Sequence, residues 1–422
     1  MSYDPVREEY GRSQVCRHSD KGIYGEVMIA PFKAELTRRQ LVKGSLTAAG
    51  GLLVGLDKIR PLPALENRGD PFPRGKQLGV VNFVGEGQLP VGTPVGNELD
   101  GRLFTDLSTL TPEHPITPIE NFYVRTRASE LLGDNKAWLI RLGGLLDKPR
   151  NMHAEDLARM AKPAGLHLME CVGNTRAAHF GMVSVADWAG VPLSKILNMV
   201  RIKPQARYVL ISGFDVYSAI STSSIPGASW IFSLEQLVSS RAFLATTMNG
   251  RPLLKDHGAP VRLVVPGWYG CTCIKWVNEI TLLDDTVEAT SQMREYASRT
   301  QSGLPSLAKE YRPALIDLAA VPIRVERWVV DGRIKYRVVG ILWGGSRSLT
   351  HRLEIRFGPA DSFGPVDSFQ QTAGDSWSFW THQWIPKATG IYTIYLRVRD
   401  PSVPTTRLDS GRYLRSVEIT EV

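Results

Sequence analysis

The apolar positions of this chain fall into two styles. From residue 101 to 300, strand-like and helix-like runs are mixed. AWLIRLGGLL (137–146) and ARYVLISGFD (206–215) read as strands, and NMHAEDLARMA (151–161) has the apolar spacing of a short helix. SLEQLVSSRAFLATTMNGRPL (233–253) reads as a helix followed by a strand and a turn. APVRLVVPG (259–267) is a valine-rich strand that stops at Pro-Gly. Short helices interspersed with strands predict an α+β domain over 101–300.

After residue 322 the pattern becomes strict alternation. VERWVVDGRIKYRVVGILWGG (325–345) is two alternating runs around Asp331-Gly332, a type I′ hairpin signal. GIYTIYLRVRD (390–400) puts Tyr392, Ile394, Leu396 and Val398 on one face, and RYLRSVEITEV (412–422) is a last strand. Half of the ten tryptophans lie in this part. Residues 323–422 therefore predict an immunoglobulin-like β-sandwich, one without an internal cysteine pair. Residues 65–100, rich in Pro and Gly, read as an extended arm laid over the surface. Residues 301–322, with three prolines, read as a linker.

Composition narrows the class. The 422 residues are 43% hydrophobic and 22% charged, as in a soluble globular protein of two or three domains. No run of eighteen apolar residues occurs, so no conventional membrane span is expected. The net charge is +8, with Lys and Arg spread along the chain rather than massed. That argues against nucleic acid and leaves an anionic substrate or an acidic partner. The four cysteines, Cys16, Cys171, Cys271 and Cys273, show neither zinc-ribbon spacing nor a covalent-haem motif. Cys271 and Cys273, placed on a strand, point to opposite faces; a mutual disulfide would be strained, and one is expected to face a site.

Near the N-terminus, Thr37-Arg38-Arg39-Gln40-Leu41-Val42-Lys43 precedes the weakly apolar GSLTAAGGLLVGL (44–56). This resembles a twin-arginine export signal and implies a periplasmic protein exported already folded; the plainer reading is an amphipathic helix with a basic first turn. Residues 1–64 are assigned to the signal with an N-terminal extension, Met28 offering the more usual start and PLPALE (61–66) the cleavage candidate.

HLMECVGNTR (167–176) places Cys171 between an apolar run and a glycine-asparagine turn. Taken alone, Cys171 is a small buried hydrophobe, a nucleophile, or a thiolate ligand to a soft metal. Its surroundings carry more. MECVGNTR followed by VADWAGVPLSKIL (185–197), DHGAPVRLVVPGWYGCTCIKWVNEI (256–280) and ENFYVRTR (120–127) together resemble the sulfite oxidase family of molybdenum enzymes over roughly 100–422, with a haem-free bacterial sulfite dehydrogenase as the nearest type.

That resemblance implies a sulfite-oxidase-type molybdopterin domain followed by a dimerisation sandwich. It implies one Mo-molybdopterin per chain and no haem, with Cys171 as metal ligand and the cofactor supplying the remaining sulfur. Asp215, His257, Arg262, Cys273 and Lys275 match positions that hold or face the cofactor. Arg127 stands where the animal members have histidine, and either replaces a cofactor contact or enlarges the anion pocket. Arg125, Arg176 and, from the last segment, Arg407 match anion-facing arginines, and Tyr296 the active-site tyrosine. His179 reads either as a residue behind the metal site or as a loop histidine. The implied reaction is oxidation of sulfite to sulfate, with electrons leaving singly to a cytochrome c-type carrier, in a homodimer. The alternatives are a sulfoxide reductase or sulfane dehydrogenase of the same class, or an interaction protein with a degenerate site.

Overall fold

The computed structural model describes residues 72–127, 132, 137–213, 228–301, 303–345, 352–372 and 375–422. The stretch that resembles an export signal, Cys16 and Asp215 lie outside the described residues. Residues Asn67–Val422 form one compact unit.

Two sheets build the first half. One orders Arg251–Pro252, Phe243–Met248, Val183–Pro192 and Lys162–Glu170, with Arg262–Val264 also pairing with Phe243–Met248. The other orders Arg150–His153, Leu139–Gly144, Val277–Leu283, Tyr208–Gly213 and Ser229–Ser233, and is mixed, because Val277–Leu283 runs parallel to Leu139–Gly144. Trp188, Trp230, Phe232 and Ile280 fill the core they share. Helices are short; the longest α-helix among the described residues is Ser291–Thr300. The first half is therefore richer in sheet than the sequence pattern suggests. Helix Leu234–Ser239 starts where predicted, closed by a reciprocal cap between Ser233 and Gln236.

The second half is two antiparallel five-stranded sheets around a core containing Trp343, Trp377 and Trp380. Strands Ala319–Val330 and Arg333–Trp343 form the predicted hairpin. Asp331 and Gly332 take φ of 49° and 76°, as the tight primed turn requires. The first of these strands begins inside the stretch assigned to the linker.

The proline-rich arm departs most from expectation. It does more than lie over the surface: Gly75–Val81 pairs with Ala319–Val330, and Phe83–Val84 pairs with Arg415–Ile419. It supplies an edge strand to each C-terminal sheet. Buried Arg415 then grips Glu86 with two hydrogen bonds of 2.6 and 2.7 Å. The apolar alternation of the arm is too weak to reveal this, since strand Gly75–Val81 is largely exposed.

Candidate active site

Strand Lys162–Glu170 ends at Cys171, which is 6% exposed. The turn behind it is closed locally: Cys171 N donates to Met182 O at 2.9 Å and Asn174 N to Cys171 O at 2.9 Å. The Asn174 side chain accepts from Met182 N at 3.1 Å, and Gly173 N donates to Cys171 Sγ at 3.4 Å. Glycine and asparagine thus shape the loop that presents the thiol.

Cys171 lines a cavity together with Tyr123, Arg125, Thr126, Met169, Arg262, Cys271, Cys273, Lys275, Gln292, Glu295 and Tyr296. Arg125 follows Val124, whose backbone bridges to Leu103; Tyr123 N donates to buried Ser184 Oγ at 3.1 Å. Tyr296 is on helix Ser291–Thr300, which Thr290 caps and which Gln292 pins by accepting from Ser229 N at 3.2 Å. Arg262 begins the short strand Arg262–Val264 and is 4% exposed. Its guanidinium donates to His257 O and Cys273 O, both at 3.1 Å, and contacts Met169 Sδ at 3.0 Å. Lys275 Nζ donates to Thr126 O at 2.6 Å and Asp256 O at 3.1 Å, and lies over the Trp276 ring.

Three cations against one carboxylate make the wall positive. Burial pushes Tyr296 well above the ordinary phenol range, and Cys171 adds to this against the pull of Arg125, so it is a hydrogen-bond donor at neutral pH. Burial likewise raises the Glu295 carboxyl, against Arg125 and Arg299. Arg102 is electrostatically coupled to the same cavity; burial and Arg125 lower its pKa to about 10.

The other predicted residues sit around this cavity rather than in it. His257 is buried behind it, its Nε2 bonded to Ile119 O at 2.8 Å; burial lowers its pKa to about 4. It is a neutral prop that offers its carbonyl to Arg262. Arg127 pairs with Asp256 at 3.1 Å and does not line the wall. Arg407 Nη1 donates to Val172 O at 3.1 Å, one residue from Cys171, with its guanidinium over Tyr269. Arg176 begins the 3-10 helix Arg176–Ala178, half-buried and outside the lining. His179 bonds Glu86 at 2.8 Å, and so serves the arm. Cys271 and Cys273 are not on a strand. They lie at a 3-10 turn, Gly270–Thr272, and both line the cavity; the strand premise fails because the Pro-Gly stop is followed by this turn.

Pattern reasoning passed over Tyr123, Glu295 and Arg102. Glu295 adjoins Tyr296 and could have been read with it. Arg102 and Tyr123 arrive through long-range pairing that no local signal carries. Gly270 also has a steric reason: a Cβ there would meet Tyr123 Oη.

The donor set fits a molybdopterin cofactor. Among the described residues no group of three or more His, Cys, Asp or Glu could hold a metal, so a metal here needs most of its ligands from elsewhere. Arg262 Nε is buried without a hydrogen-bond partner on the cavity wall. Too few ligand side chains for a metal on their own, an unsatisfied guanidinium N–H and a lysine suit a group that brings its own sulfur and carries phosphate.

Fold and site together define a molybdopterin-type oxidoreductase, and the family described as the oxidoreductase molybdopterin binding domain matches residues 128–291. A nitrate reductase [NADH] of Ulva prolifera is 24% identical, covering 67% of this chain and 38% of its own length. A sulfite oxidase of Arabidopsis thaliana is 26% identical, covering 43% of this chain and 51% of its own. The chain thus spans about half or less of the length of these two relatives. Among solved structures, the sulfane dehydrogenase SoxCD from Paracoccus pantotrophus has a similar fold, with TM-score 0.58, 21% identity, and coverage of 78% of this chain and 88% of that one. Residues 128–291 thus carry a molybdopterin-binding oxidoreductase domain, and the chain is similar to sulfite oxidases.

Proposed function

We propose that this protein oxidises sulfite, or a similar small sulfur anion, by molybdenum-dependent oxygen-atom transfer. One observation carries the reading: a buried Cys171 thiol shares a single cavity with Arg125, Arg262, Lys275 and the protonated phenol of Tyr296. The overall reaction is sulfite plus water to sulfate, two electrons and two protons. When bound, the molybdenum cofactor supplies the oxygen atom and accepts the electron pair. Cys171 is the protein's ligand to it, and Arg262 and Lys275 hold its anionic part. Asp215 is a further candidate for contact with its pterin, and His257 stands behind Arg262.

Arg125 binds the anion, and Tyr296 donates a hydrogen bond that orients it. Arg407 acts from behind, through the Val172 carbonyl, and Arg176 adds positive charge near the loop. Preplaced donors in a cavity of this kind stabilise charge without reorganising. Electrons leave singly to a separate cytochrome c-type carrier. We further assign export by the twin-arginine signal to the periplasm, and an immunoglobulin-like dimerisation role to residues 323–422.

Rapid mixing of the molybdenum-loaded protein with sulfite tests the substrate. Loss of the thiolate-to-molybdenum absorption within the mixing experiment supports it. An unchanged spectrum at full molybdenum content rejects sulfite, and the same assay with sulfoxides and sulfane-carrying thiols then identifies the alternative.

A further inference from the structure

Glu170 is the residue before Cys171, and it is fully buried. A carboxyl in that position is costly unless it is well bonded. Its partners come mostly from the far end of the chain. Trp343 Nε1 donates to Oε2 at 2.8 Å, and Tyr413 Oη donates to Oε1 at 3.1 Å. Asn174, from the cysteine loop itself, adds a bond of 3.3 Å. The same C-terminal segment also holds the loop backbone. Arg407 donates to Val172 O, and Arg412 donates twice to Asn174 O, at 2.8 and 3.2 Å. The residue before the thiol and the two carbonyls after it are therefore fastened to the C-terminal half of the chain.

We propose that Glu170 is a positioning residue for the Cys171 loop, clamped by Trp343 and Tyr413, so that the C-terminal half of the chain sets the pose of the thiol. This rests on the reading of Cys171 as the molybdenum ligand. It assigns to the C-terminal half a role in the site that association between chains does not require. The clamp is buried and aromatic: Trp343 and Tyr413 pack edge to face with centroids 5.5 Å apart. Tyr413→Phe removes one donor and keeps its ring, Trp343→Phe removes the other and keeps an aromatic but smaller side chain, and the two variants test the clamp independently.

The first measurement is amide hydrogen exchange on the full chain without cofactor. The clamp predicts that exchange at Gly173 and Asn174 rises about tenfold in each variant, while strand Ala319–Val330 exchanges as in the parent. Unchanged loop exchange in a folded variant overturns the proposal, as does a rise that strand Ala319–Val330 shares. The second measurement uses the molybdenum-loaded protein. Tyr413→Phe is predicted to shift the thiolate-to-molybdenum band and lower kcat with KM for sulfite unchanged, whereas a merely structural role moves neither. Glu170→Gln, which keeps a carbonyl oxygen for Trp343, should exchange less than Glu170→Met. A band missing from the parent at full molybdenum content would instead sink the ligand reading, and the exchange result would still decide the clamp.

Discussion

Replacing Arg415 with methionine isolates the bolt that joins the arm to the C-terminal sheets. Arg415 and Glu86 are 6% and 5% exposed at their side chains, and they meet through two short hydrogen bonds. Arg415 also donates to Pro322 O at 2.8 Å and lies over the Phe83 ring. Methionine keeps much of the packing but leaves Glu86 with only His179. Breaking one side of a buried pair costs about 3–5 kcal/mol, most of it from the charge left behind. Burial raises the Glu86 pKa, and the hydrogen bonds and charge of Arg415 outweigh it, so the net shift is downward. By linkage, the stability Glu86 contributes is present above its unfolded value of 4.5 and is lost as pH falls through the folded value. Urea unfolding at neutral pH should therefore show a loss of several kcal/mol in Arg415→Met, recovered in large part by adding Glu86→Gln. The acid loss seen in the parent should flatten in the double variant. A loss under about 1 kcal/mol would refute the reasoning, because it would place the pair in the range of solvent-screened surface bridges.

Other outcomes follow from the site. Arg125→Gln removes a charge-assisted contact worth about 1.5–3 kcal/mol, so KM for the anion should rise about tenfold or more with the fold intact; an unchanged KM in steady-state assays would remove Arg125 from anion binding. His257 is held neutral, its pKa lowered from 6.5 to about 4. That contributes roughly 3 kcal/mol present above pH 6.5 and lost as pH falls toward 4, so unfolding measured across that window should be flatter in His257→Gln. Gly270→Ala drives a methyl group toward the Tyr123 hydroxyl, and overpacking of this kind costs about 1–3 kcal/mol; thermal unfolding should register it, and an unshifted transition would mean that the turn yields freely.

The sequence was informative where chemistry is local. The cysteine loop, the hairpin at Asp331-Gly332 and the strand that ends at Cys171 could all be read from short runs. The resemblance also pointed to Arg125, Arg262 and Lys275 through contiguous segments, and to Tyr296 through its spacing after Lys275; all four line the cavity. What could not be read was pairing at a distance. The arm's strands are exposed and lack alternation, and only the register with Ala319–Val330 and Arg415–Ile419 reveals them. Arg127 looked like a site residue until its partner Asp256, 129 residues away, came into view. Cys271 and Cys273 were misjudged because a two-residue spacing was given strand geometry, where a 3-10 turn brings both to one wall.

The central claim is that Cys171 is the protein's sulfur ligand to molybdenum in the anion-lined cavity. X-ray absorption at the molybdenum edge, on the purified parent and on Cys171→Ser, tests it most directly. The account predicts about one molybdenum per chain in the parent and one fewer sulfur neighbour in the variant. The same number of sulfur neighbours in both proteins, at equal metal content, would contradict it.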